Sequence, residues 1–406
     1  MPLELINAIV IDAVQPVPRA GRVTVRDGRI EEIDYERPGA TSGSDSTVLD
    51  LDGAYLIPGL WDAHSHLFPL APRPASLTLP ARTLDYAAIA SEGLRQGGVT
   101  GMRSAGMPAF IDVALREAAE SGRWVGPRIA ACGYFLTTTG GHLPRHEIAL
   151  VCDGPTEIVR AVRDQIEHRV DHIKLNLSGG IMGPFWDQPK HLYWLEEELD
   201  AAFRLARQRD YPVMAHATNP AAVKAALRLG AHSLEHGYAM DEECIELLLE
   251  KDAWYVPTLC ISHLTPSQAV SEFERQWVTD HPLPADLWDR ADAAADEHRH
   301  WFRAALQAGV KMALGSDAGP QKDAVHQEME LWVKSGATPW QTLQAATTHA
   351  AALCGMSDRV GTIEAGKIAD LVAVRGNPLD DINHVRAVDL VVKDGIVAAD
   401  HRAADA

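Results

Sequence analysis

The chain has 406 residues, 46% of them hydrophobic, with 24 prolines, 31 glycines and a formal net charge of -19. That composition belongs to a folded globular protein with room for one large core and a small satellite domain, not to a disordered chain. The acidic balance argues against a nucleic-acid backbone or an anionic membrane as partner. The five scattered cysteines, with no C-x-x-C, read as reduced thiols of a cytoplasmic protein.

The first residues, MPLELINAIVIDAVQP, lack the basic region of a secretory signal, and no apolar run is long enough to span a bilayer, so neither segment is expected. Residues 1–57 read as short strands separated by turns: LINAIVID, GRVTVRDGRIEEIDY and TVLDLDGAYLIP, with Asp-Gly turns at 27–28 and 52–53 and a loop at 38–46. Residues 359–406 repeat this character in RVGTIEAGKIADLVAV and VRAVDLVVKDGIVAA. Each terminus is too short for a core of its own. Packed together they make one small β domain of sandwich type.

Between them, residues 58–358 alternate buried-type strands with helical sequence. The strand candidates are IPGLWDAHSH, GVTGMRSAG at 98–106, PRIAACGYF at 127–135, DHIKLNLSGG at 171–180, YPVMAHATN at 211–219, AHSLEHGY at 231–238, AWYVPTLCI at 253–261 and VKMALGSDAG at 310–319. Eight apolar strands, each followed by helical sequence, predict an α/β fold, a (β/α)8 TIM-like barrel. An open doubly wound sheet is the competitor, but the Gly-rich phosphate turn of that class is missing after the first strand.

In such a barrel the chemistry belongs at the C-terminal ends of the strands. His64 and His66, two residues apart, share one strand face; Lys174, His216, His236 and Asp317 fall near the ends of later strands. Each has a plainer alternative. His216 reads also as a core histidine bonded to a carbonyl. Of His232 and His236, the second lies nearer the loop, before Gly237. A buried Asp317 or Lys174 is costly without a partner, so the polar set makes more sense together than singly.

These motifs, with TTGGH at 138–142 and the closing ATTHAAALCG and GTIEAGKIADLVAV, resemble the metal-dependent amidohydrolase superfamily over nearly the whole chain. Within it the likeness is to the branch of imidazolonepropionase, metal-dependent prolidases and arginine carboxypeptidases, and ochratoxin-hydrolysing amidases. The resemblance implies two divalent metal ions, with zinc the expected element. His64, His66 and Asp317 would hold the first and His216 and His236 the second, bridged by Lys174 as N6-carboxylysine. Imidazole and carboxylate donors suit such ions. The implied chemistry is a water of lowered pKa attacking an amide carbonyl, with Asp317 as proton acceptor and then donor. His142 is the candidate donor to the oxyanion, with a surface loop histidine as the alternative. Tyr134 is a second substrate-contacting candidate, with a packing role as its alternative.

Arg103 is expected to bond a neighbouring carboxylate, or else a substrate carboxylate, and Lys190 with His191 are further charged candidates. The segment 181–194 departs from the peptidase-like pattern: Phe185, Trp186, Tyr193 and Trp194 crowd it, as if to wall an apolar pocket or a subunit contact. The stretch 263–290 is a second candidate cover for the mouth. The expected substrate is a small linear amide or peptide-like molecule, with a cyclic amide, imidazolone or lactam, or a related deamination, as the alternative. A noncatalytic metal protein fits poorly, because the set includes a base as well as ligands. Relatives imply a homo-oligomer.

Overall fold

The computed structural model describes residues 1–41, 46–67 and 77–402, so residues 42–45 of the expected loop at 38–46 lie outside it. Strands β1 (Leu3–Val10), β2 (Arg19–Arg26) and β3 (Arg29–Asp34) form an antiparallel meander, and β4 (Thr47–Asp50) and β5 (Tyr55–Pro58) both run parallel to β1. Asp27 and Gly28 turn the β2–β3 hairpin with φ of 50° and 78°. Both residues left-handed is the geometry that makes Asp-Gly a hairpin signal.

The chain then enters a parallel region. Strands β6 (Leu60–Ser65), β7 (Val99–Ser104) and β8 (Arg128–Ala130) pair in one three-stranded sheet. A second sheet is built from β9 (Phe135–Thr137), β10 (Ala149–Val151), β11 (Ile173–Asn176), β12 (Val213–Ala217), β13 (Ser233–His236) and β14 (Trp254–Val256), in the order β10-β9-β11-β12-β13-β14. Every residue of β6, β7, β11, β12, β13 and β14 is buried, which is why these segments read as continuous apolar runs.

Two segments differ from the sequence expectation. The strand expected at 127–135 is split in two. Gly133 takes a φ of 66°, and the amides of Cys132 and Gly133 turn inward to the buried carboxylate of Asp112, at 2.9 Å each. Those amides are satisfied by a side chain, so they do not join a ladder. The segment 310–319 is extended but forms only an isolated bridge, Met312 to Tyr255. Its backbone is shared between two neighbours: Ala313 N–H donates to Tyr255 O at 3.1 Å, while Leu314 O accepts from Ala63 N–H at 2.9 Å. At the other gap between the sheets Asp171 N–H donates to Ala131 O at 2.7 Å.

Helices follow the strands: Leu79–Gly97, Ile111–Glu120, Gly154–Glu167, Glu196–Gln208, Pro220–Leu229, Glu242–Glu250, Ala285–Ala308 and Gln321–Lys334. Their ends carry recognisable signals. Thr78, Asn219 and Asp241 cap N-termini through their side chains, and Gly98, Gly230 and Gly309 close C-termini in the left-handed conformation.

The last strands, β15 (Leu371–Val374), β16 (Val388–Lys393) and β17 (Ile396–Asp400), return to the first sheet, where β15 pairs antiparallel with β5. The result is one mixed terminal sheet resembling a small β-sandwich. Leu5, Val23, Leu56, Leu371 and Leu390 meet in its own apolar cluster, so both ends of the chain supply a core that neither supplies alone. The architecture is thus α/β, with parallel strands inside and helices outside. Among the described residues no helix is long and apolar enough to cross a membrane.

Candidate metal centre

Strand ends deliver the polar residues to one place. One cavity is lined by His64 and His66 from the end of β6, Lys174 and Asn176 from β11, His216 from β12, His236 and Tyr238 from the end of β13, Asp317, and His142. Its apolar wall is Phe135, Leu143, Ile148, Ile181, Met182 and Ile261. All six residues of the implied ligand set therefore converge, although they span 254 positions of sequence.

The donor atoms are close. One atom each from His64, His236 and Asp317 lies within 4.8 Å of the others, and His66 Nε2 is 3.3 Å from Asp317 Oδ1. The imidazoles of His64, His236, His216 and His142 follow one another with centroid separations of 4.9, 4.4 and 4.4 Å. Burial comes first in driving the His64, His216 and His236 pKa values well below the ordinary value, and neighbouring Lys174 and histidines add to it. These rings are neutral at physiological pH, as metal ligands must be.

Hydrogen bonds then fix which nitrogen carries the lone pair. His64 Nδ1–H donates to Glu235 Oε2 at 2.8 Å, which leaves the Nε2 lone pair 3.6 Å from the Asp317 carboxylate. The Thr258 hydroxyl donates to Pro257 O and so accepts from His236 Nδ1–H at 2.7 Å. His216 Nε2–H donates to Gly179 O at 3.1 Å. A lone pair facing a carboxylate is repulsive in itself, and a cation between the two reverses the sign. This donor set fits a divalent metal ion.

Asp317 and His236 sit in the left-handed backbone region, with φ of 51° and 72°. For residues other than glycine that costs about 1–3 kcal/mol each. The strain is held by Asp317 N–H donating to His64 O at 2.8 Å and by the Tyr255 hydroxyl donating to His236 O at 2.9 Å. Burial would raise the Asp317 carboxyl, but its surroundings, among them the His66 hydrogen bond and the Lys174 ammonium, hold the pKa below the ordinary value. Lys174 Nζ is buried with no hydrogen-bond partner among the described residues, and burial lowers its pKa to about 8 against the pull of Glu235 and Asp317.

Other expected residues find different places. His142 lines the cavity with Nδ1 2.7 Å from the buried carboxylate of Asp187, and the backbone passes so close that a Cβ on Gly180 would sit 2.3 Å from its Cε1. Tyr134 is not brought to the cavity: its hydroxyl accepts Ala109 N–H at 2.8 Å and its ring packs on Phe110, while Phe135 provides the lining. Arg103 takes the structural role, binding both oxygens of Glu235 at 2.8 and 2.9 Å and Ala63 O at 2.7 Å. Lys190 and His191 are exposed. The aromatics of 185–194 do not wall the pocket; Ile181 and Met182 do, whereas Phe185 is 80% exposed and Trp194 is buried against Asn176 O.

Glu235, Asp187, Thr258 and Tyr238 belong to the site without having been expected there. Glu235, a carboxylate inside the apolar strand β13, is signalled in the sequence as Asp317 is, by the cost of burying it without a partner. No such signal exists for Asp187, which lies in an irregular loop.

The Amidohydrolase family model matches residues 55–398. The chain belongs to the amidohydrolase family. Ochratoxinase of Aspergillus niger is 30% identical over 362 residues, covering 80% of this chain and 71% of that protein. The crystal structure of a Xaa-Pro dipeptidase with bound methionine in its active site superposes with a TM-score of 0.84 at 29% identity, covering 98% of this chain and 99% of that one. Imidazolonepropionase of Acinetobacter baumannii is 24% identical, covering 81% of each chain. This amidohydrolase is a metal-dependent hydrolase acting on carbon–nitrogen bonds, and His64, His236 and Asp317 form a metal-binding cluster in it.

Proposed function

We infer that the protein cleaves a linear amide or peptide-like bond of a small substrate at a binuclear centre, on a closed eightfold barrel. The backbone bonds across both gaps between the parallel sheets, Ala63 to Leu314 and Asp171 to Ala131, support the closed barrel. One observation carries the functional reading. The buried Lys174 Nζ, without a hydrogen-bond partner among the described residues, shares a cavity with the imidazoles of His64, His66, His216 and His236 and with Asp317, a set too large for one ion. His64, His66 and Asp317 would hold one ion, His216 and His236 the other, with Lys174 as N6-carboxylysine between them; zinc suits these donors.

Ions bound there would lower the pKa of a shared water and polarise the substrate carbonyl. The residues do the rest. Asp317 accepts the proton of the attacking water and returns it to the leaving amine. His142, fixed by Asp187, stands at the cavity wall and, with both ring nitrogens protonated, would donate Nε2–H to the oxygen on which charge develops. The apolar wall receives an uncharged part of the substrate and excludes water from the carbonyl. A linear amide is favoured by the likeness to ochratoxinase and to the Xaa-Pro dipeptidase over that to imidazolonepropionase.

Metal analysis together with a hydrolysis screen over N-acyl amino acids, dipeptides, aryl amides and lactams tests the reading. Two ions per chain and release of a separate amine and acid are expected. Ring opening of a lactam with no cleavage of linear amides would overturn the linear preference, and one ion at full activity would overturn the binuclear centre.

A further inference from the structure

The loop 181–187 is gripped from two sides. From outside, Arg290 on helix Ala285–Ala308 reaches it with one terminal nitrogen on Gly183 O at 3.0 Å, Asp187 O at 3.1 Å and Ile181 O at 3.5 Å, and the other on Pro184 O at 3.2 Å. A planar guanidinium suits this task, because its fork addresses several carbonyls at fixed angles. The residue after it, Ala291, is fully buried against Ile181 and Tyr238.

From inside, the carboxylate of Asp187 organises the cavity rim. Oδ2 accepts from His142 Nδ1 at 2.7 Å and Leu143 N–H at 3.3 Å, while Oδ1 accepts from Gly180 N–H at 3.1 Å and the Tyr193 hydroxyl at 3.3 Å. Gly183 lets the loop fold over this carboxylate, since a Cβ there would sit 1.9 Å from Asp187 Oδ2. The same short loop thus supplies the wall residues Ile181 and Met182 and the anchor of His142.

We propose that Arg290 is a positioning residue for substrate selection: it sets the loop 181–187 so that Ile181 and Met182 form a fixed apolar seat and Asp187 aims His142. The inference rests on the amide-hydrolase reading. A displaced loop moves the seat and His142 together, so both kinds of substrate lose through His142 while only one with a bulky apolar group also loses its seat.

The test uses the metal-loaded full-length enzyme, with Arg290→Ala, Arg290→Lys and wild type assayed on N-phenylacetyl-phenylalanine and N-acetylglycine. Hydrogen exchange of residues 180–187 is followed in parallel. Arg290→Ala is expected to lower kcat/KM on both amides through His142, and by on the order of tenfold more on the bulky amide than on the small one. It should also lose amide protection in 180–187, and millimolar guanidinium should restore both. Arg290→Lys, which keeps the charge but not the fork, should fall in between and serves where the alanine variant folds poorly. Equal effects on both amides, or unchanged protection of the loop, overturn the proposal. A wild type that cleaves neither amide sinks the amide reading instead; the exchange data alone then decide the clamp, lost protection supporting it and retained protection refuting it.

Discussion

His64 Nδ1 and Glu235 Oε2 lie 2.8 Å apart, both buried, although 171 residues separate them in sequence. Glu235 also takes Arg103 on both oxygens and the Ser233 hydroxyl, so it is a neutralised carboxylate that sets the tautomer of a metal ligand. Glu235→Gln removes the charge that balances Arg103 and lets an amide N–H oppose His64 Nδ1–H. Metal affinity is expected to drop on the order of 10–100-fold. Metal content after equilibration with a chelator buffer measures it, and wild-type affinity would show that His64 is oriented by other contacts.

Asp317 has two duties in the proposed reaction, and one substitution separates them. Asp317→Asn keeps an oxygen donor in the cluster but removes the basic site, so turnover should fall on the order of 10²–10⁴-fold with metal content near wild type. Near-normal turnover at intact metal content would remove Asp317 from the proton transfer.

The gathering of the candidate ligands was legible because polar residues ending apolar parallel strands come to one rim, and His64, His66, Lys174, His216, His236 and Asp317 line one cavity. The terminal sheet was legible too, since Asp27-Gly28 marks its β2–β3 hairpin and each end lacks a core. The split at 130–135 was not, because it depends on Asp112 capturing two distant amides. Nor was the placement of Tyr134, whose hydroxyl is taken by Ala109 N–H, a contact set by where a helix begins. Composition in 181–194 pointed to aromatics as pocket walls, yet the backbone path sends Ile181 and Met182 inward and Phe185 outward. Local pattern cannot specify an irregular path held by Arg290 and Asp187.

Acid sensitivity should arise from histidines outside the metal centre. His326 is buried with Nε2 2.9 Å from Gly97 O, and burial followed by nearby Arg386 lowers its pKa to about 3. Unfolding returns it to the ordinary value of about 6.5. Between those values the unfolded chain binds a proton that the folded chain does not, so stability falls as pH drops below about 6.5, by roughly 1 kcal/mol per pH unit for such a group. Urea midpoints at pH 7 and pH 5 measure this. His326→Asn should flatten the pH dependence, and an unchanged slope would assign the effect to other groups.

Lys174 gives the sharpest test of the proposed centre. Its amine is buried and unpartnered, and burial lowers its pKa to about 8, so far more of it is in the neutral form near pH 7 than for an exposed lysine. A neutral amine adds to carbon dioxide: the nitrogen–carbon bond forms, a proton leaves to water, and the product is an anionic carbamate. That exchange turns a cation, costly beside two metal ions, into a ligand able to bridge them. Apoprotein prepared free of carbon dioxide is therefore expected to take up two ions per chain only when bicarbonate is supplied, and labelled bicarbonate should give a carbamate carbon signal. Lys174→Ala should lose both the signal and the response to bicarbonate, while a short carboxylic acid in solution restores part of the second ion's binding. Full loading of the wild type without bicarbonate, with no carbamate signal, would reduce Lys174 to an uncarboxylated neighbour of the metal centre.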